Sequence, residues 1–493
     1  MIGVENMLKK IAVFDSQIYR YPNIDTLFRP DTKYPEYRMG DVSHERNGVY
    51  KAVREGFHLL GLDKENYGQS TWNPLGAYIS PGDNVLIKPN LVMDKNLNKY
   101  GETDCLYTHP AVVAAVVDYA LIALQGEGKI VIGDAPMQEC NFENLKKNSG
   151  YGRLVNYYCE KGYPVTMVDF REMSSVVKNG VHHSSIRHNV KGKIVQLGKD
   201  SDFYKMPNQQ HDKIRVTNYD PRILPTHHCG EKHEYYISDY VLDADVIINM
   251  PKPKTHRKAG VTISLKNFVG ANVRKEYLPH HTVGSVEENG DEYLKKNKIH
   301  SFQSQLMDKR NIYSAEGHYI RAYMIRYLIK ICVWLLSLSN DKFAEGSWYG
   351  NHTISKTIND INKIIAYADK QGVMKESRQR KLLIVADMII SGEKEAPVNP
   401  TPKNVGIIAM GDDQLLFDEA IATLMGFDIN KIPTFEGIRK WKGKYKIYSG
   451  EDTSIFVSNN KMYDGKTPKE LKYEERFNYE ASSGWKGHIE LLK

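Results

Sequence analysis

The chain has 493 residues, 41% of them hydrophobic, and a formal net charge of +7 from 67 basic and 60 acidic residues. That length predicts two or three lobes rather than one small core, and the hydrophobic content excludes a disordered chain. The charge is mild and not gathered into a stripe, which excludes a dedicated nucleic-acid binder but suits a local basic pocket for an anionic small molecule. The five cysteines, Cys105, Cys140, Cys159, Cys229 and Cys332, show no C-x-x-C spacing. No internal iron–sulfur cluster and no disulfide scaffold is therefore expected, and the setting reads as reducing and cytoplasmic.

The N-terminal residues have only short apolar runs and no signal-peptide pattern. KKIAVFD (9–15) reads as a strand, and VYKAVREGFHLLGL (49–62) as an amphipathic helix. PGDNVLIKPNLV (81–92) is a turn leading into a strand. HPAVVAAVVDYALIAL (109–124) is a helix with Thr108 as its expected cap and Pro110 in its first turn. KIVIGDAP (129–136) is the next strand, and this β-α-β order predicts a parallel sheet with crossover helices. RLVNYYCEKGY and PVTMVDF repeat the helix–strand alternation, after which the chain to about 240 turns polar, hairpin-like and rich in histidine. DADVIINM (243–250) is a nearly continuous apolar strand, as expected when both faces are covered.

From 271 to 375 the pattern is mostly helical and charged. It contains the apolar segment ICVWLLSLS (331–339), too short to span a bilayer and read as a buried helix or subunit contact, with a membrane-surface helix as the alternative. RKLLIVADMII (380–390), KNVGIIAMGDD (403–413) and the helix LLFDEAIATLMGF complete the core. The predicted architecture is α/β, a doubly wound, mostly parallel Rossmann-like sheet. Residues 1–270 form an α/β core with a His-rich polar insertion, 271–375 a helical inserted or capping subdomain, and 376–493 the completion of the core.

In open parallel sheets, ligands bind beyond the carboxyl ends of the strands. The residues just after each apolar run are Lys88 and Asn90, Asp134, Asp169 and Arg171, the group Lys252, Lys254 and His256, then Asp387, and finally Asp412 and Asp413. Any one of these suits a solvated loop, whereas their convergence predicts a site for a polar ligand. The stretch PKPKTHRKAGVTISLKNFVG (251–270) is the densest part, with Lys252, Lys254, His256, Lys258 and Lys266. Lysines donate to phosphate or carboxylate oxygens, and a histidine among them suits proton transfer near neutral pH.

DADVIINMPKPKTHRKAGVTISLKNFVG resembles the signature of the family called domain of unknown function 362, and VLIKPNLV, KIVIGDAP and GIIAMGDDQLLFDEAIATLMGFD resemble its other blocks. EYLPHHTVGSVEENGDEY (276–293) and GSWYGNHTISKTINDINKIIAYAD (346–369) resemble a long subgroup associated with bacterial surface-polysaccharide gene clusters. The resemblance implies a fold and a site rather than a reaction. GEKEAPVNP replaces the Gly-Pro that the family often shows after the strand bearing Asp387, so nothing is carried over to that loop.

Imidazoles and carboxylates at His280, His281, Asp291 and Glu292 suit a divalent metal, although no named metal spacing occurs. His227, His228, Cys229 and His233 are read mainly as structural, with His228 able to face the pocket. Trp348 and Asn351 suit a sugar ring, or equally a core contact and a helix cap. Asp412, Asp413 and Asp418 suit a cation bridging a phosphate, Asp418 reading rather as a helix-surface charge. No Walker A loop, G-x-G-x-x-G fingerprint or G-x-S-x-G elbow is present.

The expectation is a cytoplasmic enzyme acting on an anionic small molecule or sugar conjugate in surface-polysaccharide biosynthesis, of epimerase, transferase or lyase type. His256, His281 and Asp134 would be catalytic, and Lys88, Asn90, Lys254, Lys266, Asn267, Arg171, His228, Trp348 and Asn351 would bind substrate. The chain would have no transmembrane segment, no nucleic-acid partner, and as cofactor at most a divalent metal; a homo-oligomer fits. The alternatives are a scaffold protein recruiting an acidic partner and a metal or redox protein serving an iron–sulfur partner.

Overall fold

The computed structural model describes residues 8–23, 28–40, 42–99, 101–338 and 343–492. Residues 1–7, read above for a signal peptide, and Ser339, at the end of the apolar segment, lie outside them. The centre is a ten-stranded sheet. Its strands are β1 (Lys9–Asp15), β2 (Asn84–Pro89), β3 (Lys129–Asp134), β4 (Val165–Asp169), β5 (Val246–Met250), β6 (Lys254–His256), β7 (Gly260–Thr262), β8 (Lys381–Glu395), β9 (Asn399–Gly411) and β10 (Ser454–Ser458). The main path runs β10-β1-β9-β8-β5-β2-β3-β4, with β6 pairing with both β7 and the far end of β8. Along that path every neighbouring pair is parallel except the two that involve β9. This is the mostly parallel α/β sheet that the alternation predicts.

Every residue of β5 is buried, as its nearly continuous apolar run requires. One face of the sheet is covered by α1 (Gly48–Leu59), α2 (Pro110–Leu124), α3 (Phe142–Ser149) and α4 (Tyr151–Glu160), whose apolar residues share a core with Val85, Ile87 and Ile248. After the short helix α5 (Ser264–Asn267), the chain builds α6 (Lys298–Ala315), α7 (Tyr319–Ser337), α8 (Thr353–Tyr367) and α9 (Gln414–Met425). α8 and α9 lie in the core of the other face with Leu86, Ile247 and Ile384. α6 and α7 instead form a helical hairpin with its own small core of Leu306, Ile329 and Cys332.

Two sequence expectations fail here. β8 and β9 form a long antiparallel hairpin, whose register pairs Ile384 with Gly411 and Glu395 with Asn399. Asp412 and Asp413 therefore leave β9 at the opposite edge of the sheet from the ends of β2, β3 and β5. There Asp412 pairs with Lys9 at 3.2 Å, and Asp413 caps α9 by accepting from Leu416 N. The reading of the apolar segment at 331–338 as a buried helix also fails, since within it only Cys332 and Leu336 are buried. Trp334 is 61% exposed and Leu338 73%, because α7 buries only the stripe Ala322, Ile329, Cys332 and Leu336.

A smaller difference concerns the start of α2. His109, not Thr108, caps it, accepting from Ala111 N at 3.2 Å. The Thr108 hydroxyl links β2 to β5, receiving Asn90 N at 3.0 Å and donating to Met250 O at 2.7 Å.

Candidate functional site

The carboxyl ends of β2 and β3, the β6–β7 turn and α5 converge on a cleft of about 1020 Å³, including its open mouth. Its construction begins with two buried ion pairs. Lys88 Nζ, at the end of β2, donates to Asp134 Oδ1, at the end of β3, at 2.6 Å. Asp134 also accepts Ala135 N and Leu91 N, so both its oxygens are engaged in fastening the strand ends together. Gly270 packs against this pair: a Cβ there would overlap Asp134 Oδ1 and stand 2.9 Å from Lys88 Nζ. On the other side, Lys252 Nζ donates to Asp387 Oδ2 at 2.9 Å, a wholly buried pair, and to the hydroxyl of half-buried Tyr21 at 2.6 Å. Asn267 ties α5 to both strands through Lys88 O and Asn249 Oδ1.

The remaining cations have no carboxylate to bind. Lys254 forms part of the cleft floor, its Nζ donating to Asn90 Oδ1 at 2.6 Å and Leu106 O at 2.5 Å. Lys258 Nζ donates to Thr217 Oγ1 at 2.8 Å, and Lys275 Nζ to Ala135 O at 2.8 Å. Lys266 lines the cleft half-buried, with no ion pair among the described residues. Burial pushes all four ammonium groups down, Lys254 and Lys275 to about 7 and Lys258 and Lys266 to about 8. Arg257 adds a further cation to the wall, and Glu139 is a carboxylate there whose pKa burial raises. Burial, joined at Lys254 by the charge of Lys252, disfavours the charged lysines until an anion enters.

Two imidazoles face this field, and their backbone contacts fix different tautomers. His256 Nδ1 receives the backbone N–H groups of Lys258 and Ala259, both at 3.1 Å. That nitrogen is therefore the acceptor, and the ring hydrogen of neutral His256 sits on Nε2. His280 does the reverse. Its Nδ1 lies 2.7 Å from Leu278 O, an acceptor, so Nδ1 carries the hydrogen and Nε2 keeps its lone pair. Burial first, then the neighbouring lysines, holds both rings well below the ordinary histidine pKa, and both stay neutral. The cleft thus offers one imidazole donor and one imidazole acceptor.

Of the residues expected from sequence, Asn90, Asp134, Lys254, His256, Lys266, Asn267 and His280 line the cleft, with Lys88 directly behind Asp134. The others lie elsewhere. Arg171 is clamped to Asp169 at 2.7 Å and donates to the carbonyls of Met137 and Cys140, so it shapes the 135–140 wall from behind instead of meeting a ligand. His228 is fully buried against Tyr277 O at 2.9 Å, in a cluster with His211 and His233. His227 of the same stretch pairs with Glu234.

His281 is next in sequence to His280 but points away, because its backbone pairs with Arg215 in a short antiparallel ladder. Trp348 donates its indole N–H to Asp291 O at 2.9 Å, and Asn351 donates to His280 O and caps α8 by accepting Ile354 N. Both are packing and capping residues, outside the cleft. Asp418 is also not a surface charge: it is buried and accepts Ser264 N and Leu265 N, capping α5.

The expected metal set does not converge either. Asp291 accepts Thr282 N, His352 N and Thr353 N, and Glu292 accepts Gly284 N, so these carboxylates hold the start of α8 and the 282–292 loop. Among the described residues no group of three or more His, Cys, Asp or Glu is placed to hold a metal ion.

Sequence reasoning missed Lys275, Glu139 and the loop Thr217–Asn218–Tyr219, all of which line the cleft. Lys275 carried a signal, a basic residue shortly after the LKNFVG block. The loop carried none, since it reaches the cleft from a polar stretch without periodicity.

The family model described as "Domain of unknown function (DUF362)" matches residues 85–204 and 207–423, which include every strand end and helix that builds the cleft. A thylakoid-associated protein of Synechocystis sp. (strain ATCC 27184 / PCC 6803 / Kazusa) is 26% identical over 196 residues, 40% of this chain and 41% of that protein. The match therefore spans about two fifths of the length of that relative.

Proposed function

Because this chain belongs to the domain of unknown function 362 family, whose description specifies no reaction, we propose a function from the cleft itself: an enzyme that binds an oxyanion-bearing small molecule and moves a proton on it. The observation that carries this reading is the set of cleft lysines without carboxylate partners, above all Lys266 and Lys275, which stand half-buried at the wall. A phosphate or carboxylate beside lysines held this way raises their pKa and restores their protonation. His280 Nε2 takes the proton from a carbon or hydroxyl of the ligand. His256 Nε2–H, with Lys266, stabilises the oxygen on which charge develops. Asp134 is a positioning residue, holding Lys88 and the β2 and β3 ends.

This first step is common to epimerases, lyases and hydroxyl-directed transferases, so the fold does not choose among them. We assign anionic sugar conjugates of surface-polysaccharide biosynthesis as the substrate class, supported by the resemblance of segments 276–293 and 346–369. Concavity favours an enzyme over a recruiting scaffold: polar groups converging from several elements on one cleft suit a small ligand, whereas an acidic protein partner needs a broad face.

The test is calorimetric titration with inorganic phosphate, inorganic pyrophosphate and a nucleotide-sugar. Lys266→Ala and Lys275→Ala should keep the wild-type circular dichroism and each lose about tenfold in affinity, the value of one charge-assisted contact. His280→Gln should bind normally and fail to turn over any substrate then found. Wild-type protein that binds none of the three probes, or variants that bind as well as wild type, would sink the proposal.

A further inference from the structure

The helix α7, YIRAYMIRYLIKICVWLLS, stands apart from the rest of the surface. Its inner stripe packs on α6 through Ile329 and Cys332. Its opposite side carries Ile320, Met324, Tyr327, Ile331, Trp334 and Leu338, at alternating steps of four and three, each between 47% and 80% exposed. Steps of four and three keep these six on one face of a helix. They form one continuous apolar ridge rather than scattered hydrophobic residues.

The hairpin 173–186 meets the start of the helix, where His183 stacks on Tyr319 at 3.7 Å. Nothing in the described structure covers the ridge.

The charges around the ridge name its partner. From Tyr319 to Ser337 the sequence holds Arg321, Arg326 and Lys330 and no acidic residue. Successive residues turn by about 100°, which places Arg321 on one flank of the ridge and Arg326 and Lys330 on the other. Glu316, just before the helix, is taken by Arg222 at 2.7 Å.

A second copy of the helix would set cations against cations with no carboxylate to answer them, the reverse of a helix pairing stabilised by flanking salt bridges. Cations flanking an apolar ridge on both sides, with a Tyr and a Trp in the ridge, fit the plane of a bilayer: the apolar side chains enter the acyl boundary while Arg and Lys reach the headgroups. No helix among the described residues is long and apolar enough to cross a membrane, so the fit is to the surface.

We propose that α7 docks the protein on the surface of a membrane rich in anionic phospholipid. The ridge supplies the apolar insertion, and Arg321, Arg326 and Lys330 select negative headgroups. This docking is independent of the chemistry assigned to the cleft, since none of these residues lines it.

The experiment is co-sedimentation of the full chain with vesicles of phosphatidylcholine alone and of equal parts phosphatidylcholine and phosphatidylglycerol. Wild type should pellet with the mixed vesicles and not with phosphatidylcholine alone, and added salt should release it. Arg326→Ala and Lys330→Ala should each lower the partition coefficient about fivefold, the value of one basic residue near a charged bilayer. Ile331→Glu combined with Trp334→Glu, both at exposed positions and checked for an unchanged thermal transition, should abolish pelleting. Wild type that pellets with neither vesicle, pelleting indifferent to phosphatidylglycerol, or a double variant that still binds would each overturn the proposal. So would a wild-type dimer in sedimentation equilibrium that the double variant dissolves without any vesicle binding, which would give the ridge to a second copy.

Discussion

Two groups of lysine meet at the same sheet edge and behave as opposites. Lys88 and Lys252 are wholly buried, and each is spent on one carboxylate, Asp134 or Asp387. Lys254, Lys258, Lys266 and Lys275 lie a few residues away and have only neutral oxygens, or none, within reach. The first group fastens strands, the second waits for charge from outside. Lysine density in a sequence therefore does not identify a binding site by itself; the distribution of carboxylates among the lysines does.

The comparison breaks most visibly if a fastening lysine is removed. Lys252→Met leaves Asp387 buried with Tyr21 as its remaining side-chain partner, and should cost about 3–5 kcal/mol in urea unfolding, the cost of orphaning a buried charge. Gly270→Ala attacks the other fastening from outside. Its Cβ must push Asp134 off Lys88, and we expect a loss of about 1–3 kcal/mol in the same assay, as for an overpacked core.

Lys266→Ala sharpens the contrast. The side chain has no partner to orphan, so stability should stay within about 0.5 kcal/mol of wild type, while calorimetric affinity for pyrophosphate falls about tenfold.

The two groups also separate in pH. The four waiting lysines sit near 7 to 8 when folded and near the ordinary 10.5 when unfolded. Between these values the unfolded chain binds more protons, so stability rises with pH across that window. Anion affinity must fall across the same window, because the lysines lose the charge that holds the ligand. Unfolding midpoints and affinities compared at about pH 7 and about pH 9 should therefore move in opposite directions. Parallel movement would mean that other groups dominate.

Much of this site was legible in the sequence. Asn90, Asp134, Lys254 and His256 were found because a parallel strand delivers the residues after its apolar run to one edge. The same rule misplaced Asp412 and Asp413, since an apolar run reads identically whether its strand runs parallel or antiparallel, and the turn residues between β8 and β9 were not read as a hairpin tip. His281 was preferred to His280 for want of a register: neighbouring positions of an extended segment face opposite sides, and the pairing of His281 with Arg215 that settles which side is long-range. Trp348 and Asn351 illustrate a different limit. An aromatic beside an amide has the composition of a sugar platform and of a helix start alike, and only the orientation of the indole N–H toward Asp291 O separates the two.

Among the described residues, β1 finds its strand neighbours in β9 and β10, and the wall residue Arg257 receives through its carbonyl the indole of Trp485 at 2.8 Å. On a ribosome, β1 must therefore wait, unpaired, until β9 has emerged, and loop closure over such a separation is slow. A chain stalled short of residue 454 would carry every cleft lysine and still lack both β10 beside β1 and the Trp485 indole that holds the Arg257 carbonyl.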